Sequence, residues 1–514
     1  MKAEKDELRL LIRGMGAAEK RYFRIFAGNS AGRKHGNYLQ LFDALLEEAE
    51  DGIDVREKLA DAPFLQHLSP TRSRLMNLLL DSLNSKRAAN SLDGRLRSAL
   101  GAIAVLLERG LLRTTRKKIA RARELALQGE RYHVLLQLLD VEVQCYSHEL
   151  DDAADDFFQR IHHEQQRLLE ALQRLSRMRT LHESVRALNH RDMYQRLGKS
   201  TVMTRMEHLL ADPLLQADPP EDSLLTLSYH QNIHGIHLLR SGQVAQAHAL
   251  YAQLMDRWKA QPVLRNAEFA FYLGLVNNYL TSTLYAVLDP REILNIVADL
   301  RQIRGLSPMD QMKLERITHS HSLNYHINYG NFPEGEAYVR RFEIWLKKHA
   351  RHLQAQRLQL FQYNLASFYF VNGRFSDANH HVQKILNFSA RTGRQDIRNF
   401  VPLMRLVIQH ELGHESLGEY ALRATYRAFH KGQLLYDYED AIIQYFRKIQ
   451  EITHDREAQE TATQALKTAL EEISTRKGEN PFGLPLINLW IESRLRRMPI
   501  RKWFEATKAA QRTG

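Results

Sequence analysis

His410-Glu411-Leu412-Gly413-His414 is the one stretch that matches a catalytic pattern letter for letter. In HExxH, two imidazoles one helical turn apart hold zinc, and the glutamate serves as general base toward the metal-bound water. A zinc peptidase using His410, Glu411 and His414 is therefore one reading of the chain. Two features oppose it. The extended form of the motif fails, because position 417 is Leu and position 420 is Tyr. Gly413 also belongs to a recurring set of glycines that end helical patterns, which puts His414 beyond the helix that carries His410. Glu419, Glu439 and Asp440 are candidate third ligands, and nothing in the sequence selects among them. The match reads as coincidental, and the expectation is a protein that is not an enzyme and carries no metal or cofactor.

Other reactive groups lack their context. Gly28-Asn29-Ser30-Ala31-Gly32 fits GxSxG, but a nucleophile elbow needs a strand before the serine, and a helical pattern precedes it here. Gly198-Lys199-Ser200 has the end of a phosphate loop, with Met193 where its first glycine belongs. His162-His163-Glu164, His319/His321/His326 and His380-His381 have no acidic or Cys partner at ligand spacing and read as surface or packing histidines. Cys145, the single cysteine, reads as a small buried residue; it excludes a disulfide framework and fits a reducing compartment.

The chain has 514 residues, 44% hydrophobic and 26% charged, with a formal charge of +12. That apolar fraction supports a core and excludes a mainly disordered chain. The positive excess sits at the ends. Residues 1–120 hold 22 basic and 15 acidic side chains, and residues 494–514 hold seven and one. Nucleic acid is therefore a candidate partner, through the helix predicted over Ser69–Ala88 with Arg72, Arg74, Lys86 and Arg87, or through the tail Arg494–Phe504, where aromatics sit among cations. Leu75, Leu78, Leu79 and Leu83 give the same helix a buried face, so a basic capping domain is the plainer reading. No segment has the length of a membrane span, and the start lacks the apolar core of a signal peptide. The expected location is the cytoplasm.

Only 25 Gly and 13 Pro interrupt long runs of helical periodicity. In Phe158–Leu188 the apolar residues fall three, four or seven apart, the spacing of one helix face. This long helix, near 155–195, is either packed within the fold or the seam of a homodimer. No alternating run bounded by turn residues argues for a strand, so the fold class is all-α. Asp212–Asp222 and Gly478–Pro485 are the strongest breaks.

A glycine with a small residue five positions later recurs as Gly242/Ala247, Gly330/Gly335, Gly373/Ala378 and Gly413/Gly418. The glycine allows a tight turn between antiparallel helices, and the small residue lets their backbones approach. Nine positions after each glycine stands an apolar residue: Tyr251, Val339, Val382 and Leu422. A degenerate further unit lies at Gly110, with Leu112, Thr115, Ile119 and Ala122 in register. The glycines are 88, 43 and 40 residues apart, so some units escape the pattern. This arrangement resembles the tetratricopeptide repeat, with Gly235 and Ala366 at the small position of the first helix. The stretches AEKRYFRIFA…NYLQLFDALLE, HLLADPLLQ and ELGHESLGEYALRATYRAF resemble a group of large bacterial tetratricopeptide-repeat proteins, a likeness that brings no activity with it.

The resemblance implies an α-α superhelix whose first helices line a concave groove. By register, its partner-binding positions are Tyr229, Asn232, Arg240, Asn324, Asn328, Tyr363, Ser367 and Phe370, followed by His410 and Glu411. The expected organisation is a small helical N-terminal domain over 1–95, helix pairs over 96–222, tetratricopeptide-like repeats over 223–477, and a C-terminal helix with a basic tail over 478–514. The expected function is a non-catalytic scaffold or adaptor that holds a protein or peptide in the groove. A regulator whose N-terminal domain contacts nucleic acid is the alternative.

Overall fold

The computed structural model describes residues 6–29, 35–51, 55, 59, 62, 68–147, 153–195, 199–218, 221–286, 291–329, 332–350, 353–388, 394–431, 437–452, 455–477 and 482–513. Among these residues there are 25 helices and no strand, so the chain is all-α. Gly330 and Ser30 lie outside the described residues, and so do residues 31–34 and 478–481.

Four helices open the chain: α1 (Glu7–Gly14), α2 (Ala17–Asn29), α3 (His35–Asp51) and α4 (Leu68–Asn90). They share an apolar cluster of their own around Ile12, Phe23, Leu41, Phe42, Leu75 and Leu79. Asp6 starts α1 by accepting from the Arg9 amide. Next come α5 (Leu92–Glu108), α6 (Leu112–Gln128), α7 (Tyr132–Ser147) and the long α8 (Ala154–Gln195). Gly110, at φ 68, makes the α5–α6 turn, and Thr115, Ile119 and Ala122 are buried, as the register predicts. At 42 residues α8 is about 60 Å long.

After α9 (Lys199–Leu210) and α10 (Pro213–Gln216), helix pairs follow in chain order. They are α11 (Leu224–Ser241) with α12 (Val244–Lys259), then, after the short α13 (Pro262–Ala267), α14 (Phe269–Ala286) with α15 (Arg291–Arg301). Next stand α16 (Pro308–Tyr329) with α17 (Phe332–His349), α18 (Ala355–Val371) with α19 (Phe375–Leu386), α20 (Gln395–Glu411) with α21 (Glu415–Lys431), and α22 (Asp437–Glu451) with α23 (Arg456–Lys477). Each first helix packs on its own partner and, from α14 to α22, on the next first helix. These helices start 39–47 residues apart. The 88-residue gap between glycines therefore holds an extra pair, α14–α15, and the sequence between the two helices has Asp289-Pro290 and no glycine.

The turns obey the glycine logic where they are described. Gly242, Gly373 and Gly413 take φ of 84, 71 and 68, a region that a side chain disfavours. Ala247 and Ala378 are fully buried, and a Cβ on Gly335 would lie 2.7 Å from the Phe368 ring. Gly418 departs from the expectation: a Cβ there would meet nothing within 4 Å. In that pair Ala421, Leu422 and Thr425 are the buried residues, so contact falls after the glycine rather than on it.

Two large apolar clusters fill the body. One runs from Leu96 to Tyr329 and the other from Leu323 to Phe504, so they meet at α16. Glu130, itself at φ 51, ties the early pairs to the later ones. Its carboxylate accepts from the Leu224 amide at 2.6 Å, the Leu225 amide at 3.1 Å and the Ser223 hydroxyl at 2.7 Å, capping α11 from 94 residues away. The C-terminal helices α24 (Leu484–Leu495) and α25 (Ile500–Thr513) close the fold, with Phe504 against Phe332.

Candidate binding surfaces

The first-helix positions expected to face a groove divide into two groups. Tyr229, Asn232, Ser367 and Phe370 are enclosed, at 5%, 4%, 3% and 0% exposure. Phe370 is a core residue packed on Phe375, and Ser367 bonds back to the Tyr363 carbonyl. These four offer no surface to a partner here, which corrects the reading by register. Arg240, Asn324, Asn328 and Tyr363 are half-buried.

The chain itself covers Tyr229 and Asn232. Helix α8 packs along α11 and also against α20. Arg179 Nε donates to the Tyr229 hydroxyl at 3.3 Å, and Asn232 Nδ2 donates to His182 Nε2 at 2.7 Å. His182 also meets the Phe271 ring edge-on. Much of the apolar stripe of α8 is buried within the chain, at Ile161, Met178, Val185 and Leu188, while Phe158 at its start is exposed.

Behind the first helices runs a series of polar contacts. Asn232 Oδ1 accepts from the Tyr251 hydroxyl and from Asn278, both at 2.9 Å. His321 Nε2 donates to Asn277 Oδ1 at 3.1 Å, and Asn364 Nδ2 donates to Asn324 Oδ1 at 3.2 Å. Each joins one helix of the array to another. Burial holds the His182, His319 and His321 imidazoles down at about 4, because each charged form would lose its hydration. Sequence reading gave Asn232 and Asn324 to a ligand and did not single out His182, Asn277, Asn278 or Asn364, because an Asn on a first helix looks the same whether it faces solvent or a neighbouring helix.

The HELGH segment is pulled apart as the glycine pattern predicts. Helix α20 ends at Glu411, Gly413 makes the turn, and His414 lies outside the helix with Nδ1 3.2 Å from Gln409 Oε1. His410 packs edge-on against Phe446 and Trp490. Glu411 accepts from Trp490 Nε1 at 2.8 Å and faces Arg494 at 3.6 Å. Among the described residues no three His, Cys, Asp or Glu side chains are grouped to hold a metal. Cys145 is buried.

The basic ends are largely engaged. Arg72 pairs with Asp6, Arg9 with Glu48 at 2.7 Å and Arg24 with Asp43 at 2.8 Å. In the tail, Arg496 stacks on Trp503 at 4.1 Å and Arg501 on Phe332 at 4.9 Å, so these two cations are engaged by the chain itself, while Lys502 is exposed. Arg74 is exposed. The conspicuous basic face is elsewhere, on α6. Arg113, Lys117 and Arg121 stand four apart and Lys118 lies beside them, all exposed and without an ion pair among the described residues. The composition of residues 1–120 carried part of this signal, but the helix after Gly110 was read for its repeat register and not as a basic face.

No described helix is long and apolar enough to cross a membrane. No protein-family model, curated protein or solved structure matches the chain at a significant level.

Proposed function

We propose that the chain is a tetratricopeptide-like superhelix and a non-catalytic scaffold that binds a protein or peptide along the first helices of its repeats. The observation that carries this is the series of six stacked pairs from α11 to α23, three of them joined through left-handed glycines. The chain's own α8, laid along α11, supports the same view, since it uses this face as a seat for a helix. The stretch beyond α8's contacts on α11, where Asn324, Asn328 and Tyr363 remain half-exposed, is where the partner sits.

The test is affinity capture of partners by the full chain and by an Asn324→Ala/Asn328→Ala variant, with folding checked by circular dichroism. The partner is expected to bind about tenfold more weakly to the variant. Undiminished binding by a folded double variant would remove the groove assignment.

A second reading is favoured by the unpaired cations of α6: a regulator that contacts nucleic acid through this face rather than through Arg72. Reversing Arg113, Lys117 and Arg121 to Glu is expected to abolish a gel shift with duplex DNA or RNA and to flatten its salt dependence by about two to three units of slope. A gel shift indifferent to these changes would exclude α6.

A further inference from the structure

Where α23, α24 and α25 meet the ends of α18 and α20, the fold leaves a cavity of about 880 Å³, the size of a small-molecule site. Five cations line it, Arg456, Arg494, Arg497, Arg501 and Lys502, against two carboxylates, Glu411 and Glu460. Glu411 faces Arg494 at 3.6 Å, Glu460 holds Arg497 at 2.6 Å, and Arg501 reaches Glu505 at 3.2 Å. Arg456 and Lys502 make no ion pair among the described residues.

Helix α25 begins on this cavity, and it begins against the usual electrostatic rule. A helix N-terminus carries partial positive charge and favours acidic side chains, yet the first turn of α25 holds Arg501 and Lys502 and no acid. Its first intrahelical bond runs from Trp503 N to the Pro499 carbonyl, so the preceding amides lack helical acceptors. Cations gathered at a helix N-terminus are costly when the site is empty and favourable once an anion enters.

Asn372 supplies an independent observation. It lines the cavity at 8% exposure, and its Nδ2 donates to the Phe368 carbonyl at 2.8 Å, while its Oδ1 has no donor. A buried acceptor of this kind takes its hydrogen bond from a water or from a hydroxyl or amine of a ligand. With Arg494, Arg497 and Arg501 each facing a carboxylate, the two cations left over, Arg456 and Lys502, match a phosphate better than a single carboxylate, and guanidinium forks suit phosphate oxygens. We propose that this cavity binds a phosphorylated, hydroxyl-bearing small molecule of the sugar-phosphate or nucleotide class. The phosphate sits at the start of α25 between Arg456 and Lys502, and a ligand hydroxyl donates to Asn372.

Titration calorimetry on the full chain with ribose 5-phosphate, ATP, inorganic phosphate and ribose tests this. Ribose 5-phosphate or ATP is expected to bind more tightly than inorganic phosphate, and ribose alone not to bind. Arg456→Glu/Lys502→Glu, at exposed positions that leave folding intact, is expected to weaken binding about tenfold or more. Reversal of Arg113 and Lys117 on α6 is expected to leave it unchanged. Absence of binding by every phosphorylated probe would overturn the proposal. So would phosphate binding equal to that of ribose 5-phosphate and ATP, binding indifferent to the Arg456/Lys502 change, or binding lost with the α6 change instead.

Discussion

Lowering the pH from about 6.5 to about 4 is expected to unfold the body of the protein in a cooperative transition. His182, His319 and His321 are held down to about 4 in the fold, by burial first and, for His319, by Arg301 as well. In the unfolded chain they titrate near 6.5. The sign follows from proton binding. Above 6.5 both states are neutral and no stability depends on pH. Below 6.5 the unfolded chain takes up protons that the fold excludes, so stability falls until the folded values near 4 are reached. Each group contributes up to about 1.4 kcal/mol per pH unit, and three together approach the whole stability of an ordinary domain over this window.

The local chemistry agrees. His321 donates through Nε2 to Asn277, and its Nδ1 is buried without a partner, so the added proton would have no acceptor. Glu130 acts in the opposite sense. Burial raises its carboxyl, which costs stability at neutral pH and is relieved on acidification. One such group does not offset three. Thermal melts across the window measure the effect, and His321→Asn and His319→Gln are each expected to make the pH dependence shallower by about one proton. A melting temperature flat from pH 6.5 to 4, or a slope unmoved by both changes, would contradict the assignment.

The second large effect is expected at Gly235. A Cβ there would lie 2.6 Å from the Tyr251 hydroxyl and Cζ. Tyr251 cannot withdraw, because it is fully buried and its hydroxyl is fixed on Asn232 Oδ1 at 2.9 Å. Gly235→Val is expected to cost about 3 kcal/mol, at the upper end for overpacking of a core. In a Tyr251→Leu background the same change should cost clearly less, since the clashing atoms are gone. Gly418 is the contrast. Its Cβ position is open, so Gly418→Ala is expected to be neutral or to add up to about 1 kcal/mol through helix propensity. Chemical denaturation of the four variants decides it. Equal losses at Gly235 and Gly418 would mean that close helix approach is not what the first glycine provides.

The same pair of glycines measures how far the pattern could be read. The resemblance to the repeat located Gly235 and spacing located Gly418, and spacing placed turns at Gly242, Gly373 and Gly413, because a left-handed turn demands glycine locally. It missed α14–α15, where Asp289-Pro290 marks the break by another chemistry. It also could not distinguish Gly235, pressed by Tyr251, from Gly418, which nothing presses, since a neighbour 16 residues away in one case has no counterpart in the other.

What the sequence determined by itself is the helical class, the helix ends at Gly110, Gly242, Gly373 and Gly413 and the separation of His410 from His414. All of these follow from periodicity and backbone preference acting over a few residues. What only the tertiary structure decided is which polar side chains are free. Asn232 and Tyr229 are covered by α8, Arg72 by Asp6 and the tail by Phe332, while Arg456 and Lys502 are left open beside Asn372. Each of these depends on a contact from far along the chain. Local spacing fixes where a side chain stands on its own helix, but only packing of distant helices fixes what stands opposite.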